Sequence, residues 1–175
     1  MELVGIFFGS DTGNTENIAN LIQKKLGKDI AAIHDIAKSN KEDIETFNML
    51  VFGIPTWYYG EAQCDWDDFF PSLSKIDFNG KLVAIFGSGD QEDYGEYFCD
   101  AMGILYKLIK PMGATIVGHW PVSGYYFERS KALFDETNFV GLAIDEDRQP
   151  ALTTARVDAW VKQISKEMRL FEIIG

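Results

Sequence analysis

Leu3-Val4-Gly5-Ile6-Phe7-Phe8-Gly9-Ser10-Asp11-Thr12-Gly13-Asn14-Thr15-Glu16-Asn17-Ile18 is the stretch that decides the fold. Leu3 to Phe8 carries no polar side chain, and such continuous apolar runs mark strands buried on both faces of a parallel sheet. Helical periodicity begins at Ile18 and runs on through Leu21, Ile22 and Leu26, one apolar stripe. Between the two lies a hydroxyl-rich turn. A strand, a turn and a helix N-terminus in that order aim several backbone N–H groups and the positive end of the helix dipole at one point. Ser10, Thr12 and Thr15 add hydroxyl donors. The segment reads as a phosphate cradle.

What the turn lacks narrows the ligand. No lysine stands between Gly9 and Glu16, so it is not the Gly-x-x-x-x-Gly-Lys-Ser/Thr loop of nucleoside triphosphate sites, and the dinucleotide pattern Gly-x-Gly-x-x-Gly is missing too. A dianionic monophosphate held by hydrogen bonds and a dipole, without a cation, fits FMN better than NAD or ATP. The plain alternative is a capped turn that binds nothing; so many hydroxyl residues directly after a buried strand favour the cradle.

Further strand-like runs occur at Ala31 to Ile36, Met49 to Ile54, Leu82 to Phe86 and Thr115 to Gly118. Helical stripes separate them: Trp66, Phe69, Phe70 and Leu73, then Phe98, Met102, Leu105, Tyr106 and Ile109. A weaker helix fits Lys41 to Phe47. A last helix carries Val157, Trp160, Val161, Ile164 and Met168, with Thr153 or Thr154 as its expected N-cap. Strands alternating with helices require right-handed crossovers. The expected architecture is an α/β three-layer sandwich around a five-stranded parallel sheet, forming a single domain over residues 1–175. The stretch from His119 to Gly141 is too long for an ordinary connection. It reads as an insertion that interrupts the fifth strand before Gly141 to Ile144 resumes it, with partner docking its expected role.

Composition excludes several classes. The chain has 175 residues and a formal charge of −11, which does not suit a phosphate backbone, so no nucleic-acid partner is expected and basic protein surfaces are. Cys64 and Cys99 are the only cysteines and form no Cys-x-x-Cys pair, so neither a disulfide framework nor a metal site is expected. No apolar run is long enough for a membrane span and Met1 to Gly5 lacks a basic region, so the expected location is cytoplasmic, with no membrane partner.

Two more loops belong with the cradle. The third strand runs into Ile54-Pro55-Thr56-Trp57-Tyr58-Tyr59-Gly60, and the fourth into Gly87-Ser88-Gly89-Asp90-Gln91-Glu92-Asp93-Tyr94-Gly95, with Tyr97 just beyond. All three loops fall at the carboxyl edge of the sheet, where open α/β sheets bind ligands at the point of strand-order reversal. Trp57 and Tyr94 are then placed to sandwich a flat ring such as an isoalloxazine.

The Ser10-Asp11-Thr12-Gly13-Asn14-Thr15 loop, the Pro55-Thr56-Trp57 turn and the Gly89-Asp90-Gln91 to Tyr94 loop resemble those of flavodoxins, themselves a standard example of that binding rule. The likeness spans essentially the whole chain. The interrupted fifth strand followed by Gly141-Leu142-Ala143-Ile144-Asp145-Glu146-Asp147 resembles the long-chain bacterial subgroup. The resemblance implies strand order 2-1-3-4-5, phosphate contacts from Ser10 to Thr15 and ring stacking by Trp57 and Tyr94. It implies pyrimidine-edge contacts from Ser88, Gly89, Asp90 and Cys99, and ribityl contacts from Thr56 and Asp147. It also implies that the Tyr58 carbonyl faces flavin N5, with Tyr59 where glycine would ease peptide rotation, and that Gly60 and Tyr97 complete the site.

The implied function is a low-potential one-electron carrier, expected to be monomeric. Implied partners are an NADPH-dependent flavodoxin reductase as donor and biosynthetic or radical enzymes as acceptors, met through basic docking surfaces. The rival is an FMN-dependent quinone or nitro reductase, which needs a second substrate pocket that the sequence does not supply. A response-regulator receiver would need an aspartate after the third strand, where Pro55-Thr56-Trp57 stands. His34 and His119 read as structural.

Overall fold

A computed structural model describes residues 2–175. Five main strands form its central parallel sheet: β1 (Val4–Phe8), β2 (Ala31–Asp35), β3 (Met49–Trp57), β5 (Leu82–Ser88) and a divided fifth position. A two-residue strand, β4 (Glu61–Ala62), folds back antiparallel onto the end of β3. With β6 (Thr115–Val117) as the first part of the fifth position, the path β2-β1-β3-β5-β6 is the expected 2-1-3-4-5 order, counted without that short strand.

The fifth position is split as read from sequence. Thr115–Val117 (β6) pairs with Leu82–Ala84, and Leu142–Ile144 (β9) pairs with Phe86–Ser88 on the same strand. Between them the chain leaves the sheet through a small hairpin, β7 (Trp120–Pro121) against β8 (Asn138–Phe139). At Gly141, a Cβ would fall 1.9 Å from the carbonyl oxygen of Ile85, so only glycine lets the chain re-enter beside β5.

Each strand alternates its side chains between two apolar layers. Leu50, Phe52 and Ile54 of β3 face the layer covered by α2 (Lys41–Glu45), α3 (Cys64–Leu73) and α4 (Asp100–Ile109). Val51 faces the layer covered by α1 (Asn14–Leu26) and α5 (Thr153–Glu167). Each layer contains one fully buried tryptophan whose indole nitrogen is satisfied: Trp66 donates to Gly53 O at 2.7 Å and Trp160 to Gly118 O at 2.8 Å. The histidines pack as structural groups, His34 stacked on Phe7 at 4.7 Å and His119 on Phe134 at 4.1 Å.

Two helix ends differ from expectation. Lys41–Glu45 starts where expected, at a reciprocal capping box between Asn40 and Asp43, but stops at Glu45 rather than reaching Phe47, and α5 begins at Thr153 itself, after a short turn over Pro150–Leu152. Neither Thr153 nor Thr154 is the N-cap: Thr153 already has helical backbone angles (φ −58°, ψ −50°) as the first residue of α5, so the cap position falls on Leu152, which has no polar side chain, while the Thr153 hydroxyl donates to the Glu146 carboxylate. The chain ends in α6 (Leu170–Ile174), with Leu170 buried and Phe171, Ile173 and Ile174 exposed. No helix among the described residues is long and apolar enough to cross a membrane.

Candidate functional site

The first strand delivers the cradle. After Phe8 the chain turns through Gly9 to Gly13, and α1 begins at Asn14. Gly13 sits at φ 88°, a left-handed conformation that glycine adopts without penalty, and its amide donates to Ser10 Oγ at 3.1 Å. That bond curls the turn over the helix end. The amides of the first helical turn have no carbonyl in their own helix to donate to, so they stay available to an anion.

Gln63, fully buried, supports the turn from behind. Its Nε2 donates to Asp65 Oδ2 at 2.7 Å and to Asp11 Oδ1 at 3.4 Å. A Cβ on Gly9 would lie 2.2 Å from Gln63 Oε1 and 2.7 Å from Trp66 Cδ1, so a side chain there would displace both.

The cradle forms one end of a cleft of about 350 Å³. Ser10, Asp11, Thr12, Asn14 and Thr15 line that end; Pro55, Thr56, Trp57 and Tyr58 come from the end of β3. Ser88, Gly89, Asp90, Tyr94 and Tyr97 come from the segment after β5, and Asp147 from the turn after β9. The four segments meet because β1, β3, β5 and β9 are parallel and end at the same edge.

Four other candidate residues do not line the cleft. Gly13 shapes the turn from outside it, and Tyr59 lines a neighbouring cavity. Gly60 turns the chain at φ 88° against Asp100, and the Cys99 side chain is buried behind Gly89. A Cβ on Gly89 would lie 2.9 Å from the Cys99 amide, and Cys99 Sγ reaches Gly87 O at 3.9 Å. Burial pushes the Cys99 thiol well above its ordinary range, so it stays protonated. Glu146, in the acidic run after β9, lines the cleft although nothing in its local pattern distinguishes it from the acids beside it.

Among the described residues no lysine or arginine lines the cleft, which carries Asp11, Asp90, Glu146 and Asp147 instead. Burial, and then the charges of Asp90 and Asp145, push the Asp147 carboxyl above its ordinary value. Thr56 serves twice, lining the cleft and accepting the Ala101 amide at 3.0 Å, which ties the start of α4 to the end of β3. Tyr58 takes φ 42°, unusual for a side chain of its size.

Residues 126–131 of the insertion run along the loop that carries Tyr94. The Tyr126 amide donates to Gln91 Oε1 at 2.5 Å, Glu128 and Arg129 amides to Gly95 O at 2.8 and 3.0 Å, and the Lys131 amide to Asp100 Oδ1 at 2.7 Å.

The flavodoxin family model matches residues 6–160. The chain belongs to the flavodoxin family. It is 71% identical to flavodoxin 1 of Escherichia coli K12 over 175 residues, covering 100% of this chain and 99% of the relative. It is 65% identical to the flavodoxin of Haemophilus influenzae, with 99% of each chain covered. Among solved structures, Fusobacterium nucleatum flavodoxin bound to flavin mononucleotide superposes with a TM-score of 0.90 at 36% identity, covering 95% of this chain and 99% of that one. Flavodoxins are electron-transfer proteins, and the family match spans every strand of the sheet from Ile6 onward.

Proposed function

We propose that this chain is a low-potential one-electron carrier that holds one FMN non-covalently in the cleft, acting as a single domain over residues 1–175. The observation that carries the reading is the pairing, in one cleft, of a cation-free phosphate cradle with two aromatic side chains. The donor set fits the cofactor: Ser10, Thr12, Asn14 and Thr15 with the free amides of α1 suit a terminal phosphate, and Trp57 and Tyr94 offer faces to a flat ring. Bound FMN supplies the ability to take and give electrons singly, which the side chains of this site lack.

The chain's own part is binding, orientation and electrostatics. Thr56 and Asp147 suit the ribityl hydroxyls, and the backbone of Ser88, Gly89 and Asp90 the polar edge of the ring. Tyr58 and Tyr97 complete the wall. Gly13 and Gly60 shape the turns, and Cys99 supports Gly89 from the core. The lining acids oppose added negative charge, which favours a low potential.

Electrons pass to and from redox partners. Beside the cleft lies a cavity of about 550 Å³ walled by Tyr59, Tyr97, Glu92, Asp93, Glu96 and Glu128, whose charge suits basic docking surfaces. It is unsuited to an anionic nicotinamide dinucleotide, which argues against a quinone or nitro reductase. An NADPH-dependent flavodoxin reductase as donor and biosynthetic or radical enzymes as acceptors fit this scheme, with the chain a cytoplasmic monomer.

Titrating cofactor-free chain into FMN and following quenching of flavin fluorescence tests the binding. Saturation at one FMN per chain is expected; no quenching would refute it. NADPH alone should leave the bound flavin yellow, whereas bleaching would support the reductase.

A further inference from the structure

The turn after β5 and the turn after β9 are cross-linked in both directions. Asp145 is fully buried, and its carboxylate accepts four bonds: from the Gln91 amide at 3.0 Å and Gln91 Nε2 at 2.8 Å, and from the Asp147 and Arg148 amides at 3.1 and 2.9 Å. Arg148 then reaches back across the gap. Its Nε and Nη2 fork onto the two oxygens of Asp90 at 3.0 and 3.3 Å, while Nη1 meets Glu92 at 3.3 Å and Nη2 meets Asp93 at 2.9 Å.

Asp90 is the hinge of the segment that presents Tyr94. One oxygen of its carboxylate accepts the Glu92 and Asp93 amides, both at 3.0 Å, and its carbonyl accepts the Tyr94 amide at 3.1 Å. Burial alone would push the Asp90 carboxyl up, but Arg148 and those two amides outweigh it and hold it below its ordinary value. Three carboxylates crowded into one short turn repel one another, so the compact turn depends on a shared counter-charge. An isolated exposed ion pair contributes little; a guanidinium forked onto one carboxylate and shared with two more is a network.

We propose that Arg148 is a positioning residue of the cofactor site: it closes the Asp90–Asp93 turn so that Tyr94 stands over the cleft, and it offsets the carboxylate charge beside the bound ring. The cofactor half rests on the FMN reading above; the clamp itself does not. Arg148 does not line the cleft and acts through Asp90 and Tyr94.

The test uses the full chain as parent, Arg148→Gln and Arg148→Lys. In cofactor-free protein, amide exchange at Glu92, Asp93 and Tyr94 is expected to speed up about tenfold in Arg148→Gln, with β3 and β5 unaffected. The FMN dissociation constant is expected to rise by a similar factor, and the lower of the two potentials to become more negative. Arg148→Lys keeps the charge without the fork, so it is expected to restore the potential while exchange stays fast. Parent-like exchange in Arg148→Gln would overturn the proposal. So would a Lys variant whose potential stays with that of Gln, because the loop's shape alone would then matter. If the parent itself binds no FMN, the functional reading fails, and exchange alone decides the clamp.

Discussion

The indole nitrogen of Trp66 donates to the carbonyl oxygen of Gly53 at 2.7 Å, and the Gly9 amide reaches the same oxygen at 3.1 Å. One carbonyl in β3 thus joins the core side of α3 to the start of the phosphate turn. Trp66→Phe leaves Gly53 with its Gly9 bond, so the expected cost is about 1–2 kcal/mol from one lost hydrogen bond and a small void. Trp66→Ala is expected to cost about 3–5 kcal/mol. Urea unfolding of the cofactor-free chain measures both.

Gly13 and Gly60 both sit at φ 88°, but only one has room for a side chain. Nothing lies within 4 Å of a Cβ on Gly13, so Gly13→Ala is expected to cost only the left-handed backbone penalty, about 1–2 kcal/mol. At Gly60 the Cβ would lie 2.6 Å from Asp100 Oδ2, and Asp100 is itself pinned by the Lys131 amide. Gly60→Ala is therefore expected to be the more destabilising of the two, measured as the shift in thermal midpoint. Equal shifts would mean that the Asp100 contact relaxes freely.

Asp100 offers a pH test. Burial pushes its carboxyl above the ordinary 3.8, outweighing the Lys131 amide and the Lys131 charge, which favour the charged form. With the folded value raised, ionisation weakens the fold, and the stability present below 3.8 is lost as pH rises through the folded pKa. Asp100→Asn keeps the acceptor for Lys131 and removes the charge. It is expected to be more stable than the parent at neutral pH, with the advantage gone below 3.8, in paired urea titrations. A pH-independent difference would contradict this.

Tyr59 follows the residue that carries the positive φ at the cleft wall. Glycine at this position frees rotation of the peptide between them. Tyr59→Gly is expected to widen the separation between the two one-electron potentials, measured by spectroelectrochemistry; no widening would remove that role for the Tyr59 side chain.

The strand pattern was legible because parallel strands buried on both faces cannot alternate, so Ile6, Phe52 and Ile85 announced themselves as members of continuous runs. The cradle was legible because its hydroxyl residues sit between a strand and a helix in one short stretch. Glu61–Ala62 was not: two residues carry no period, and they pair only because β3 extends to Trp57. Glu146 enters the cleft wall, and Cys99 and Gly60 stand behind it, through register and backbone turns that side-chain pattern does not encode. Thr153 resembles a cap because hydroxyls are favoured just before a helix, but the short turn over Pro150–Leu152 leads straight into helical backbone angles, so Thr153 already stands inside α5. The cross-link from Arg148 to Asp90 spans 58 residues and arises only once β5 and β9 are paired.

Whether the cleft holds FMN for single-electron transfer is decided by an anaerobic reductive titration of the purified, FMN-loaded chain. As dithionite is added, the visible spectrum is expected to pass through two separate one-electron steps, with a long-wavelength band that rises during the first and fades during the second. A flavin that bleaches in a single two-electron step, or a chain that retains no flavin, would contradict it.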